Sequence, residues 1–289
     1  MKPSVYSPSP FSALSTFIAM ARKELTIMAR YPVNFIASFA QVFLIVTIFT
    51  FAGSMFFDAP PEQQALEEAS ASAGSTSGIV VYGFILFMFL SDTLWTIGYN
   101  LRNEQVQGTL EQLYLSPASK FASLVSRVTN ILIWTSLLSI MGGIVMSLLI
   151  GDLPFHNPWL GLYLFVLALC GMFGMGFAFA AFTLCVKETA ATVANLLQFA
   201  IIVLCAIFFP FSALPGFVRN ISRLLPPAYA VDAFRSALMG FPPGFPELAP
   251  FPLEFAIVTA FGLLMPVVGY FLYRRAEDAA RREGSLSAY

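Results

Sequence analysis

Residues 159–186 read WLGLYLFVLALCGMFGMGFAFAAFTLCV, with no Asp, Glu, Lys or Arg. A helix rises about 1.5 Å per residue, so roughly 20 such residues cross a ~30 Å hydrocarbon core. The stretch is therefore long enough to span a membrane, and Gly171, Gly174 and Gly176 within it predict close helix packing. The charge-free runs of this chain lack polar–apolar alternation, which excludes a closed β-barrel.

The composition extends this character to the whole chain. Of 289 residues, 58% are hydrophobic and 11% are charged, against about 25% charged in soluble domains. A soluble enzyme, a nucleic-acid-binding domain and a disordered chain are excluded. We expect an all-α polytopic membrane protein forming one transmembrane domain over residues 1–289. Its six predicted transmembrane helices are 33–57, 79–99, 128–150, 159–186, 189–211 and 254–273.

The cations predict the orientation of these spans. Twelve of the 15 Lys and Arg residues lie before the first span, after the last, or in the connections on that same side. The opposite loops, 58–78 and 151–158, contain acids but no Lys or Arg. By the positive-inside rule, both termini are cytoplasmic. The expected location is therefore the cell (inner) membrane, crossed several times.

Two further segments are predicted to lie at the membrane surfaces. Apolar residues recur at helical steps over 11–30, and this amphipathic interface helix carries its charges off the apolar stripe. Those charges are Arg22, Lys23, Glu24 and Arg30. The segment 212–253 is Pro-rich, apolar and external, and holds the remaining three arginines. It predicts one or two re-entrant helices, or alternatively an ordinary external loop with interfacial helices.

Groups that perform catalysis are scarce in this sequence. It has no GxxxxGK[ST] phosphate loop, its three cysteines lack metal-ligand spacing, and His156 is its only histidine. We therefore expect no enzyme activity, no metal and no cofactor on this chain. Asp92 is the one acid well inside a predicted span, which makes it a functional candidate. It either forms a structural ion pair or helix cap, with Arg127 as a partner, or takes part in a transport pathway.

The connection after the second span has the pattern of a docking element. Residues 102–116 are polar and long enough for a short helix that ends at Pro117. An apolar stripe runs along one face, and two acids that are two turns apart share another. The stripe residues are Val106, Leu110 and Leu113, and the acids are Glu104 and Glu111. Such a helix suits a groove in a soluble partner.

These residues resemble a family signature. The run Glu104-x-x-x-Gly108-Thr109-Leu110-Glu111-x-Leu113-x-x-Ser116-Pro117 is similar to the E-x-x-x-G-T-L-E-x-L-x-x-[ST]-P motif of ABC-2 type transporter permeases. The segment 226–235 resembles the NPxxYxxxxxR element that precedes the last span in that family, although Pro226 replaces the usual Asn and one residue, rather than two, separates Pro227 from Tyr229. Its site residues here are Pro227, Tyr229, Asp232 and Arg235. The resemblance extends over essentially the whole chain.

The resemblance implies an ATP-driven exporter of two permeases and two separate ATPase subunits, which bind ATP and Mg²⁺. The second permease is another copy of this chain or a homologue, and membrane lipids surround both. The helix 102–116 would be the coupling helix, seated on the ATPase through the residues of the first motif, with the interface helix bracing that joint. ATP-driven closure of the ATPase pair would tilt the two bundles and alternate access to a pathway between them.

The transport pathway is expected along the second and fifth spans. Besides Asp92, the candidate lining residues are Phe84, Phe87, Trp95, Tyr99, Phe199 and Phe208. Such aromatic side chains suit an amphiphilic or hydrophobic cargo, such as a drug, lipid or glycolipid. The alternative function is an ion- or proton-driven transporter that needs no ATPase. That mechanism requires intramembrane ionisable groups in both halves, and Asp92 has no counterpart in spans four to six before Glu254 at the edge.

Overall fold

The computed structural model describes Ile18, Arg22, Thr26 and residues 30–57, 65–99, 120–150, 153–185 and 189–282. Within these residues the regular structure is helical and no strand occurs. The helices are α1 (Pro32–Phe57), α2 (Ala65–Thr93), α3 (Lys120–Ile150), α4 (Pro158–Cys185), α5 (Ala190–Leu204), α6 (Gly216–Ser222), α7 (Pro226–Met239) and α8 (Phe251–Arg282). A π-helical turn, Leu94–Tyr99, extends α2, and a 3₁₀ turn, Phe211–Ala213, lies between α5 and α6.

The long apolar helices identify a membrane protein, which confirms the predicted fold class. Three segments are long and apolar enough to cross a membrane: Gly78–Ile97, Pro158–Thr183 and Phe251–Ala279. Three shorter apolar segments accompany them, namely Ile36–Ile45, Ile131–Val145 and Ala191–Leu204. Each of the six overlaps a different predicted span. The number of spans, six, remains a prediction.

Helix α2 is the central element of the bundle. It contacts α1, α3, α4, α5 and α7. Side chains along its apolar part are almost fully buried, as at Val80 and Leu86, and Ile97 is buried in the π-helical turn that follows. Any displacement of α2 therefore acts on most of the described helices at once.

Glycines explain the tightest helix pair, α4 against α8. A methyl group at Gly171 would overlap the ring of Phe261, and one at Gly174 would overlap the backbone of Met265. At Gly176 it would overlap a side chain of α2. The predicted close packing through these three glycines is thus confirmed, since only the missing side chains let the helices approach this far.

Helix α5 is shorter than the charge-free run that contains it. The predicted span 189–211 extends beyond Leu204, where the α-helix ends and a turn over 205–208 follows. Within this turn Ala206 has a positive φ of 47°, a conformation that does not continue a helix. The α-helix therefore ends several residues before the predicted span does, and the reason is a contact with α7 that is described below.

Other helices run beyond the predicted spans. Helix α2 begins at Ala65, in the segment expected to be an external loop, and α8 continues to Arg282, past the predicted end at 273. Both extensions are less apolar than the spans themselves. Hydropathy predicts only the part of a helix that lies in lipid, whereas the backbone can remain helical in the polar region beyond it.

Candidate functional site

The segment predicted to be re-entrant centres on α7, a helix enclosed by the rest of the described chain. Proline at its first turn suits a helix start, because those N–H groups have no helical partner. It ends at Gly240, whose φ of 78° provides the left-handed C-terminal cap. Every residue from 227 to 239 is buried. Helix α7 packs on α2, α4 and α8, so it lies inside the bundle rather than on its surface.

Arg235 of α7 explains why α5 ends where it does. Its guanidinium group is fully buried. Nη2 donates hydrogen bonds to the carbonyl oxygens of Ala206, at 2.7 Å, and Ile207, at 2.5 Å. Nη1 lies 3.5 Å from the Phe209 carbonyl. Carbonyl groups beyond a helix end have no helical N–H partner, and here a cation from another helix supplies the missing donors.

Two features allow a guanidinium group to occupy this position. Gly83 on α2 leaves the room, because a Cβ there would overlap Arg235 and lie 2.5 Å from the Ile207 oxygen. The charge is also partly balanced. Burial lowers the pKa of Arg235 to about 10, while the charges of Asp232 and Glu247 act in the opposite direction. Arg235 is therefore protonated at neutral pH and binds the carbonyls as a cation.

Two carboxyl groups hold the connection between α7 and α8. Oδ2 of Asp232 accepts hydrogen bonds from the backbone N–H groups of Glu247 and Leu248, both at 2.8 Å. Oε1 of Glu254, on α8, accepts one from the N–H of Ala249 at 3.1 Å. Three consecutive N–H groups of the connection thus bind acids on the two helices that it joins.

The side chain of Glu247 extends this network to the α5–α6 connection. Its two carboxylate oxygens accept hydrogen bonds from the backbone N–H groups of Phe211, at 3.1 Å, and Ser212, at 2.5 Å. In addition, Arg219 of α6 donates to the Glu247 carbonyl at 2.8 Å. The 3₁₀ turn, α6 and the α7–α8 connection are therefore linked into one polar layer at the end of the bundle.

The four residues predicted for the re-entrant element lie on α7 and are buried together. Tyr229 donates a hydrogen bond to the Arg223 carbonyl at 2.9 Å, Asp232 and Arg235 have the partners described above, and Pro227 lies in the first turn. Their functional role remains a prediction. Sequence reasoning missed Glu247 as a partner, although one acid in an apolar, Pro-rich connection is a usable signal of a satisfied internal carboxylate.

A cavity of about 710 Å³ lies among α2, α3, α4 and α7. Its described lining is mostly aliphatic and aromatic and carries no charged side chain. Hydroxyl groups of Ser136, Ser139 and Ser147 on α3 also face it. The Ser139 hydroxyl is buried and has no hydrogen-bond partner among the described residues. The volume falls in the ~300–1,000 Å³ range of small-molecule pockets.

The predicted pathway aromatics fall into different environments. Phe84 and Phe87 of α2 are buried within the chain, and Phe84 stacks on Phe208 with ring centroids 5.8 Å apart. By contrast, 67% of Phe199 on α5 is exposed. Trp95 is partly buried and donates to the side-chain oxygen of Gln198 on α5 at 3.0 Å, which joins the two predicted pathway helices. The side chain of Tyr99 lies outside the described residues.

Asp92 contacts α3 through a hydroxyl group rather than a described cation. The Thr135 hydroxyl, which is fully buried, donates to Asp92 Oδ2. The side chain of Arg127, the expected partner, lies outside the described residues. The contact with Thr135 is compatible both with a structural role and with a place beside the pathway, so both alternatives stand.

Two other predicted elements fall largely outside the described residues. These are the coupling segment 102–116 with Pro117, and Lys23 and Glu24 of the interface helix. Arg22 and Arg30 are helical and exposed, and Thr26 donates a hydrogen bond to the Arg22 carbonyl at 2.6 Å, the spacing of one helical turn.

Comparison with known protein families identifies a related family. A protein-family model described as ABC-2 type transporter matches residues 15–239. The matched region runs from the interface helix through α7 and includes both the segment 102–116 and Arg235. Among curated proteins, none matches the chain.

Proposed function

Because this chain belongs to the ABC-2 type transporter family, and is thus the membrane component of an ABC transporter, we propose that it exports an amphiphilic or hydrophobic cargo from the cytoplasm. The sequence contains no phosphate loop, so ATP and Mg²⁺ bind to a separate ATPase subunit. The observation that carries the proposal is the Glu104–Pro117 motif, located between α2 and α3 within the matched region.

The position of this motif supports a coupling role. It follows the π-helical turn that ends at Tyr99 and precedes α3, which begins at Lys120. An ATPase that grips the segment 102–116 pulls directly on α2, the helix that contacts α1, α3, α4, α5 and α7. ATP can favour one arrangement of the bundle only through contacts that differ between states. Glu104 and Glu111 would make the polar contacts and the apolar stripe would form the seat.

An exposed face of α5 supports pairing with a second permease. Leu196, Phe199 and Val203 are 68%, 67% and 46% exposed, and Asn195 lies beside them. Leu196, Phe199 and Val203 follow one another at helical spacing, so their exposed side chains form one apolar face. A second copy, or a homologue, packed along α5 would cover this face and place the pathway between the two subunits.

The cargo chemistry is inferred from the lining of the cavity. Its uncharged surface and the three serine hydroxyls on α3 suit a largely apolar molecule with few hydrogen-bonding groups. A charged cargo without an apolar body would lose its hydration there without a compensating partner. This chemistry, together with the aromatic side chains on α2, favours drugs, lipids or glycolipids.

Co-purification with a phosphate-loop ATPase of the same cell tests the coupling role. We expect the charge reversals Glu104→Arg and Glu111→Arg to weaken the complex at least about tenfold, which corresponds to about 1.4 kcal/mol. Glu67→Arg is the matched control, because Glu67 is predicted on the opposite side of the membrane. Equal recovery of the ATPase with all three variants would refute the proposed docking site.

A further inference from the structure

Two carboxyl groups from different helices meet beneath the α7–α8 connection. Asp232 and Glu254 are both fully buried. One oxygen of each binds the N–H groups of the connection, as described above. No N–H or O–H group among the described residues reaches the other two oxygens, Asp232 Oδ1 and Glu254 Oε2. The two carboxyl groups lie within hydrogen-bonding reach of each other.

A hydrogen bond between two carboxyl groups requires one proton, because an ionised carboxylate is only an acceptor. Two buried, ionised carboxylates within hydrogen-bonding reach of each other would repel strongly, and the usual outcome is that the pair shares one proton. We propose that Asp232 and Glu254 bind a single proton between them, and that this proton latches the 245–250 connection onto α7 and α8.

The surrounding charges favour one negative charge on the pair and disfavour two. Arg235, one turn away, stabilises the first negative charge, whereas Glu247 opposes a second. Burial raises the pKa of Asp232, and Glu247 acts in the same direction. Tyr229 also lies close enough to Glu254 to feel its charge, and its hydroxyl is bonded to the Arg223 carbonyl.

Two tyrosines on other helices packed against α7 and α8 make their contacts away from the pair. On α2, Tyr82 donates its hydroxyl hydrogen to the Pro154 carbonyl at 2.5 Å. On α4, the ring of Tyr163 stacks on Phe255 with centroids 5.6 Å apart. The proton on the pair is therefore governed by Arg235, Glu247 and burial.

The shared proton makes the latch sensitive to pH. In the unfolded chain both carboxyl groups lose their protons near pH 4, whereas the folded chain retains one. A raised pKa in the folded state gives a stability that is fully present below the unfolded value and is lost as pH rises through the folded value. At alkaline pH the two carboxylates repel each other, and the hydrogen bonds from the N–H groups of Glu247, Leu248 and Ala249 to these carboxylates weaken.

Amide hydrogen exchange over residues 245–250, in the full chain in lipid nanodiscs, tests the latch. We expect the protection factors to fall at least about tenfold between pH 6 and pH 9, a tenfold change being about 1.4 kcal/mol. In Glu254→Gln the amide nitrogen donates permanently to Asp232 and the amide oxygen still accepts from Ala249. Its protection should be independent of pH over this range.

Two further variants complete the test. Glu247→Gln keeps the pair and removes the opposing charge, so the pH dependence should remain but shift to lower pH. Asp232→Asn, which donates from the other side of the pair, replaces Glu254→Gln if that variant does not fold. Protection factors of the wild type that do not change with pH would overturn the proposal. The same pH dependence in wild type and in the amide variant would also overturn it.

Discussion

Replacing Arg235 by Met tests the architecture of the site most sharply. Met has a similar length and fills the buried space beside Gly83, but it donates no hydrogen bond. The carbonyl groups of Ala206 and Ile207 would then be left inside the protein without a donor, since a water molecule would need polar space that the packed helices do not offer.

The size of the effect follows from these contacts. A hydrogen bond to a charged group contributes about 1.5–3 kcal/mol, and two short ones are lost. The cost of burying the guanidinium group disappears at the same time, which offsets part of the loss. Removing one partner of a buried charged set typically costs about 3–5 kcal/mol, and we expect a free energy of unfolding lower by this amount. For a chain of this size it corresponds to a melting temperature lower by roughly 10 °C.

The assay is thermal or SDS-induced unfolding of wild type and variant in the same detergent. Arg223→Met is the matched control, because Arg223 lies on the same side of the bundle but is exposed. Its backbone carbonyl, which binds Tyr229, is unaffected by the substitution. We expect the control to change the free energy of unfolding by less than about 0.5 kcal/mol. A loss below about 1 kcal/mol for Arg235→Met, or an equal loss in both variants, would refute the reasoning.

Three other predictions concern α2 and α3. Gly83→Ala should lower the free energy of unfolding by about 2–3 kcal/mol, because the new methyl group overpacks against the guanidinium group. Gly142→Ala is the control, since no atom lies within 4 Å of the new Cβ. In the same melts it should be neutral or stabilising by up to about 1 kcal/mol. Thr135→Val should lower the free energy of unfolding by about 1 kcal/mol, since it removes the donor to Asp92. Asp92→Asn retains an acceptor and should lower it less. Normal transport by the Asp92→Asn variant would exclude a pathway role for Asp92. Gly143→Leu should place a bulky side chain in the cavity and weaken stimulation of the ATPase by an apolar cargo. Gly142 does not line this cavity, so Gly142→Leu should leave the stimulation intact. Equal stimulation in both variants would exclude the cavity as a cargo site.

The helical membrane fold could be predicted because it depends on local properties. The length and apolar character of a run such as 159–186 are evident from the run itself. Gly171, Gly174 and Gly176 within it predict a closely packed neighbouring helix. The end of α5 is a different case, because the sequence remains apolar beyond Leu204. Helix α5 ends where Arg235, about thirty residues further along the chain, donates hydrogen bonds to the carbonyl groups of the following turn.

Individual residues of the site could be predicted from the sequence, but their contacts could not. A motif similar to that of the family identified Asp232 and Arg235, but it did not predict their hydrogen-bond partners. Glu254 follows Asp232 by 22 residues across a Pro-rich connection, and no spacing rule brings two such acids together. Aromatic residues posed a related problem, since the sequence does not distinguish the buried Phe84 from the exposed Phe199. Which side of a helix is covered depends on tertiary packing.

Reconstitution into vesicles tests the central claim, that this chain is a permease powered by an ATPase in trans. The measurement is the movement of a fluorescent amphiphile with the permease alone, with the ATPase subunit added, and with ATP and Mg²⁺ also present. We predict transport only in the third case, and its loss with Glu111→Arg. Transport by the permease alone, driven by a proton or ion gradient, would contradict the account and favour a secondary transporter.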